Sequence, residues 1–87
     1  MMIIKCGRRE FDLNEKDIIF DNGACYQITS QTYREGFAEY YPVIAEAKAK
    51  KMIKEGYLIL IKEEMSHITK DGKEVFHKYY KINEEVK

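Results

Sequence analysis

The sequence predicts a small α+β domain: antiparallel β-hairpins with one amphipathic α-helix packed on the sheet, in the order ββ-ββ-α-ββ. Three observations predict it. The dipeptides Gly7-Arg8, Asn22-Gly23 and Asp71-Gly72 each separate two runs in which Ile, Val, Phe and Tyr recur, the pattern of tight turns between strands. Residues 42–55 alone concentrate helix formers. And 87 residues, 45% hydrophobic and 13% aromatic, suffice for one folded domain over 1–87 but no second. A domain of this size buries only about 60% of the surface its unfolded chain exposes, so a deep, enclosed substrate cavity is not expected.

The first hairpin is read as Met2–Cys6 and Arg9–Leu13 around Gly7-Arg8, because a Gly-X pair suits a two-residue type II′ turn. After the polar break Asn14-Glu15-Lys16, a second hairpin spans residues 17–31 around Asn22-Gly23. Both residues of that pair tolerate the positive φ of a type I′ turn, which would set Phe20 opposite Cys25 and Ile19 opposite Tyr26. Residues 33–41, YREGFAEYY, lack a clear period and are read as an irregular connection.

Pro42 then suits the first turn of a helix, where no N–H is needed. Ala45, Ala49, Met52 and Ile53 share one face at helical spacing, and Lys48, Lys50, Lys51 and Lys54 lie mostly on the other. Gly56 is placed to end the helix. The run YLILI at 57–61 reads as a central strand buried on both faces. A two-residue Asp71-Gly72 turn leads into a last strand at 75–82, pairing Ile61 with Ile82 and Ile68 with Val75. Edge strands read as short and lysine-rich, and residues 83–87 as a fraying tail.

Fifteen basic residues balance fifteen acidic ones, which disfavours strong nonspecific attraction to nucleic acid or to acidic membranes. No stretch approaches the roughly 18 apolar residues of a membrane span, and the N-terminal apolar run is too short for a signal-peptide core. The expectation is a cytoplasmic protein without membrane contact, its two cysteines free thiols. Lysine outnumbers arginine twelve to three, a hint of an AT-rich bacterial or phage genome.

Chemistry-bearing constellations are weak. Cys25 shares its predicted face with Phe20 and Ile18, where a free cysteine packs as a small hydrophobe, and no imidazole lies nearby in sequence to activate it. Cys6, Cys25, His67 and His77 lack the paired spacings of structural zinc sites. Asp17 with Asp21, and Glu63 with Glu64, read as solvated carboxylates, and no glycine-rich phosphate loop is present. The expectation is no enzyme, no metal and no cofactor.

Two surface features remain. QTYREGFAEYYP places Tyr33, Phe37, Tyr40 and Tyr41 close together, and aromatic side chains give large contact area at low entropic cost. The polar row Gln27, Thr29 and Gln31 runs toward that segment on the face of Ile18. These seven residues are the expected protein-binding set, for a small non-catalytic protein acting on another protein. A phage or mobile-element inhibitor or accessory protein fits that format. The second feature interleaves lysines and aromatics: Lys48, Lys51 and Lys54 on the helix, then Lys78, Tyr79 and Lys81 on the last strand. Lysines hold phosphates and aromatic rings stack bases, so nucleic acid is the alternative partner.

The segment AKKMIKEGYLILIKEEMSHITKDGKEVFHKYYKI, residues 49–82, resembles the last helix and wing of a winged-helix DNA-binding domain. The resemblance rests on a helix, a glycine, a strand, an Asp-Gly turn and a Tyr-rich strand. It implies a nucleic-acid-binding regulator that uses this helix and hairpin.

Overall fold

The computed structural model describes residues 2–83. They form nine strands and one helix: β1 Met2–Cys6, β2 Arg9–Leu13, β3 Ile18–Asp21, β4 Tyr26–Ile28, β5 Tyr33–Glu35, β6 Ala38–Tyr40, β7 Val43–Ile44, α1 Glu46–Lys54, β8 Leu58–Ile68 and β9 Glu74–Ile82. The class is roughly α+β, mostly antiparallel strand with one short helix. The element order differs from ββ-ββ-α-ββ, because two strand units, β5–β6 and β7, stand between the second hairpin and the helix.

One sheet of five strands, ordered β7-β4-β3-β9-β8, organises the molecule, and β1–β2 and β5–β6 are separate two-stranded units. One face of the five-stranded sheet presents Ile44, Tyr26, Ile28, Ile19, Tyr80, Ile82 and Leu58. They pack with Ile4 and Leu13 from β1–β2 and with Ala49 and Met52 from α1 into a single core. Alternation along each strand sends their neighbours to the opposite face, which no other element of the core covers among the described residues.

The β1–β2 hairpin has the predicted two-residue turn: Cys6 pairs with Arg9, and Gly7 takes φ +67° while Arg8 stays at negative φ, as a type II′ turn requires. The Asn22-Gly23 hairpin departs from expectation. Asp21 pairs with Tyr26 and Phe20 with Gln27, so the loop is Asn22 to Cys25 and Cys25 does not face Phe20. Side-chain capping is the reason. Asn22 Oδ1 accepts from the N–H groups of Ala24 (2.8 Å) and Cys25 (2.9 Å), and Asp21 Oδ1 accepts from Gly23 N–H at 2.9 Å. These Asx interactions satisfy a longer loop locally, and Asn22 keeps a negative φ.

Residues 33–41 are not irregular. Gly36-Phe37 makes another two-residue turn, with Gly36 at φ +64° and Glu35 paired with Ala38. Nor does Pro42 open the helix. Its carbonyl accepts from Ile28 N–H at 2.8 Å, and Val43 and Ile44 pair with Gln27 and Tyr26. Pairing on β4 buries Ile44 and holds this segment extended, with proline beside an edge strand, where its missing N–H is tolerated.

α1 therefore begins at Glu46, after an extended Ala45 that provides no side-chain cap. Glu46 in the first turn and Lys51 and Lys54 in the last complement the helix dipole, and Glu46 pairs with Lys50 at 2.8 Å. The helix ends in a Schellman motif: Gly56 N–H donates to Ile53 C=O at 3.1 Å and Tyr57 N–H to Met52 C=O at 2.8 Å.

The largest departure is the YLILI strand. β8 is eleven residues long, lies at the sheet edge, and only its Leu58 is buried. Ile59, Leu60, Ile61, Met65 and Ile68 are between 38% and 57% exposed. The sheet's interior place next to β9 is taken by β3, which leaves β8 the outer side. Edge strands here are thus not uniformly short. The β8–β9 register also differs: Leu58 pairs with Ile82 and Ile68 with Glu74, with irregularities between Leu60 and Lys62 and between Met65 and His67. The turn is a three-residue loop rather than Asp-Gly alone. Gly72 N–H donates to Thr69 C=O at 2.9 Å and Thr69 N–H to Lys73 C=O at 2.8 Å, the arrangement of a type I turn closed by a glycine bulge. Of the expected fraying tail, residues 84–87 lie outside the described residues. Asn83 is held, its N–H donating to Tyr57 C=O at 2.9 Å and its Nδ2 to Gly56 C=O at 3.1 Å.

Among the described residues α1 is the only helix, and every element before it is a strand. No helix-turn-helix seats β8–β9 as a wing. Among the described residues, too, no helix is long and apolar enough to cross a membrane.

Candidate functional site

The aromatic segment is a built hairpin anchored on one side and bare on the other. Tyr33 is the anchor: its ring lies 5.9 Å from Phe11 of β2 and 5.7 Å from its cross-strand partner Tyr40. The Arg9 guanidinium sits 4.7 Å from the Tyr33 ring centroid, a cation–π contact, and Arg9 Nη2 donates to Arg34 C=O at 3.3 Å. Thr32 Oγ1 donates to Glu39 Oε1 at 2.7 Å across the hairpin base. Phe37, at the second turn position, is fully exposed. Tyr40 and Tyr41, each nearly half exposed, border with Thr32 and Glu39 a recess of about 240 Å³.

The polar row divides. Gln31 and Thr29 are engaged internally. Gln31 Nε2 donates to Asp12 C=O at 2.7 Å and to Asp17 Oδ1 at 3.3 Å. Thr29 Oγ1 donates to Ile18 C=O at 3.3 Å. Asp17, only 7% exposed, joins the two corners: its carboxylate also accepts from Ser30 Oγ at 2.6 Å and from Asn14 N–H at 2.9 Å. A buried carboxylate with this many donors is satisfied without a counter-ion. Gln31 thus fixes where the chain leaves the sheet toward the aromatic hairpin. Gln27 stays on the open sheet face beside Phe20 and Val43.

That open face gathers more than the sequence indicated. Tyr79 stacks at 4.9 Å on Phe20, which meets His77 edge-on at 5.0 Å. Lys62 lies 5.5 Å from the Tyr79 ring centroid, and Tyr79 OH donates to Glu64 Oε1 at 3.4 Å. Lys81 is exposed beside Ile18 and Ile59. In the sequence, His77 is weighed only as a metal ligand, and Phe20 and Lys62 are given no site role. The signal was in β3, where Ile18, Ile19 and Phe20 make both faces apolar although the rest of the chain can cover only one.

The six residues of the nucleic-acid set occupy two sides of the sheet. Lys48 and Lys51 border an open groove of about 700 Å³ between β1 and α1, floored by Met2, Ile4, Met52 and Tyr57, and Lys54 is exposed in the last helical turn. Lys78 lies in register between Asp21 and Glu63 on the helix side. Tyr79 and Lys81 face the other way.

Cys6 is half-buried on β1, and burial pushes its thiol above the ordinary value despite the opposing charge of Lys48. Cys25 is half-buried in the β3–β4 loop. His67 Nδ1 is 3.0 Å from Ser66 Oγ, and His77 packs on Phe20. Among the described residues no three His, Cys, Asp or Glu side chains gather as metal ligands would.

No protein-family model, curated protein or solved structure matches the chain.

Proposed function

We propose that this chain is a non-catalytic binding protein that works by occupying a surface of another protein. The observation that carries the reading is Phe37. A two-residue turn holds its ring fully in solvent, on a hairpin whose base is fixed by Tyr33, Arg9 and the Thr32–Glu39 hydrogen bond. Rigid presentation of an aromatic side chain lowers the entropy lost on association, and Tyr40 and Tyr41 supply a half-exposed flank of the kind found around binding hot spots. The test is affinity capture from the native host with the wild-type chain beside Phe37→Ala and Tyr40→Ala. A specific partner is expected with the wild type and lost with Phe37→Ala, whose fold should be unchanged. Equal recovery by all three chains defeats the reading.

One observation supports a second reading, nucleic-acid binding. The half-buried Phe20, Tyr79 and His77 cluster sits on the sheet face opposite the core with Lys62 and Lys81 near it, and aromatic rings on a sheet surface stack unpaired bases. It expects single-stranded RNA or DNA to shift on a gel, with affinity falling as salt rises. Tyr79→Ala and Lys81→Ala should weaken the shift, and Lys51→Ala should not. No shift at low salt removes this reading.

A further inference from the structure

Among the described residues, β8 closes the five-stranded sheet on one side with no strand beyond it. A strand of eleven residues with Ile59, Leu60, Ile61, Met65 and Ile68 in solvent is the kind of edge that natural proteins normally cover or shorten. Its charged residues do not run along the whole edge. They are confined to Lys62, Glu63 and Glu64 at the centre, with apolar residues on both sides. The two register irregularities also fall on either side of that centre.

We propose that β8 is the seam of a homodimer, in which β8 of a second copy pairs antiparallel with it about a twofold axis through Glu63. The charge pattern selects this register. An axis at Glu63 sets Lys62 opposite Glu64 of the second copy, and Glu64 opposite Lys62 of the second copy, so two ion pairs between the copies join the 3.5 Å Lys62–Glu64 pair within each chain in one four-charge network. Leu58 then faces Ile68 of the second copy and Ile61 faces Met65 of the second copy, each match occurring twice as an isologous interface demands. Moving the axis onto Ile61 sets Glu63 and Glu64 against Ile59 and Leu58. Moving it onto Met65 sets Lys62 against Ile68. Of these three axes only Glu63 sets charge against opposite charge. It also places Ile59 opposite His67 of the second copy and Leu60 opposite Ser66 of the second copy, so the ion pairs together with the Leu58–Ile68 and Ile61–Met65 matches select the register.

The arrangement has one like-charge contact, Glu63 against Glu63 of the second copy. Each Glu63 has its own Lys78 as cross-strand neighbour, which offsets the repulsion. Pairing continues the sheet across both molecules and satisfies the outward backbone donors and acceptors of β8. The seam is built from different residues than the aromatic hairpin, so it stands whether or not that hairpin binds a partner.

The test is molar mass by sedimentation or light scattering on the full chain. The wild type is expected at twice the chain mass. Lys62→Glu alone sets four carboxylates against one another, Glu64→Lys alone sets four ammonium groups together with the two Glu63, and each variant should run at the single-chain mass. Mixing the two variants restores both ion pairs in a heterodimer, so the doubled mass should return. A change confined within one chain does not respond to mixing. The double variant Lys62→Glu/Glu64→Lys, which keeps the pairing with its signs exchanged, should be dimeric and reports on the seam if a single variant fails to fold. Glu63→Gln should tighten the dimer. A wild type at single-chain mass, or a mixture of folded single variants that stays there, overturns the proposal.

Discussion

β4 and β8 are both apolar strands of the same sheet, yet one is at the heart of the molecule and the other lies largely in solvent. Tyr26 and Ile28 of β4 are flanked by β3 and β7 and roofed by β1–β2 and α1. Leu60 and Ile61 of β8 have β9 on one side and, among the described residues, no strand on the other. Residue type does not separate them: leucine and isoleucine bury as readily as each other. Strand order does. Burial is set by how many neighbours the topology assigns to a strand and by which part of it the second layer covers.

The comparison breaks most sharply under truncation. Ile28→Ala removes a fully buried side chain and should cost about 2–5 kcal/mol in denaturant unfolding. Leu60→Ala removes one already 46% exposed and should cost under about 1 kcal/mol at a concentration where the chain is monomeric. Equal losses at the two positions would mean that β8 is covered in solution even in the monomer.

What the sequence made legible follows the same division between local and long-range causes. The Gly7-Arg8 turn and its register were readable, because one glycine at positive φ decides both. The strand nature of residues 57–61 was readable too, but not its edge position. That position depends on β3 and β9 meeting across some sixty residues of intervening chain, Ile19 opposite Tyr80. The Gly36-Phe37 hairpin carried the same Gly-X signal as Gly7-Arg8. It escaped because its strands are exposed and show no apolar alternation. The Asn22-Gly23 loop differs from the expectation through Asp21 and Asn22, whose side chains accept from the N–H groups of Gly23, Ala24 and Cys25; a two-residue turn would have paired that of Ala24 with Asp21 C=O. Of the candidate site, the aromatic residues were legible as composition. The fixed base and the bare tip were not, since they depend on Phe11 and Arg9 approaching Tyr33.

A smaller effect sharpens the contrast at the corner that joins the core to the aromatic hairpin. Asp17→Ala strips the acceptor from Asn14 N–H, Ser30 Oγ and Gln31 Nε2, and should cost about 1–3 kcal/mol because the freed groups are partly buried. It should also loosen the exit toward the hairpin, seen as faster amide exchange at Thr32 and Tyr33 than at Ile28. Unchanged exchange there would detach the hairpin's anchoring from Asp17 and leave it to the Tyr33 contacts alone.

The smallest effect reports on the core face by pH. Tyr26 and Tyr80 lie on the core face with ring centroids 6.4 Å apart, and both phenols are pushed above their ordinary value of 10.0. Burial is the main cause for each. For Tyr26 the charges of Asp21 and Glu46 and a hydrogen bond to Asp21 add to it, and for Tyr80 the charge an ionised Tyr26 would carry does the same. The folded chain therefore holds these protons more tightly than the unfolded chain. Stability from this source is complete below pH 10 and drains away as pH rises from there through the folded-state values. Tyr26→Phe or Tyr80→Phe should flatten the alkaline fall in thermal midpoint while lowering the midpoint slightly at neutral pH. If both substitutions leave that slope as it is, burial does not hold these two phenols protonated, and the core face is less covered than the strand positions require.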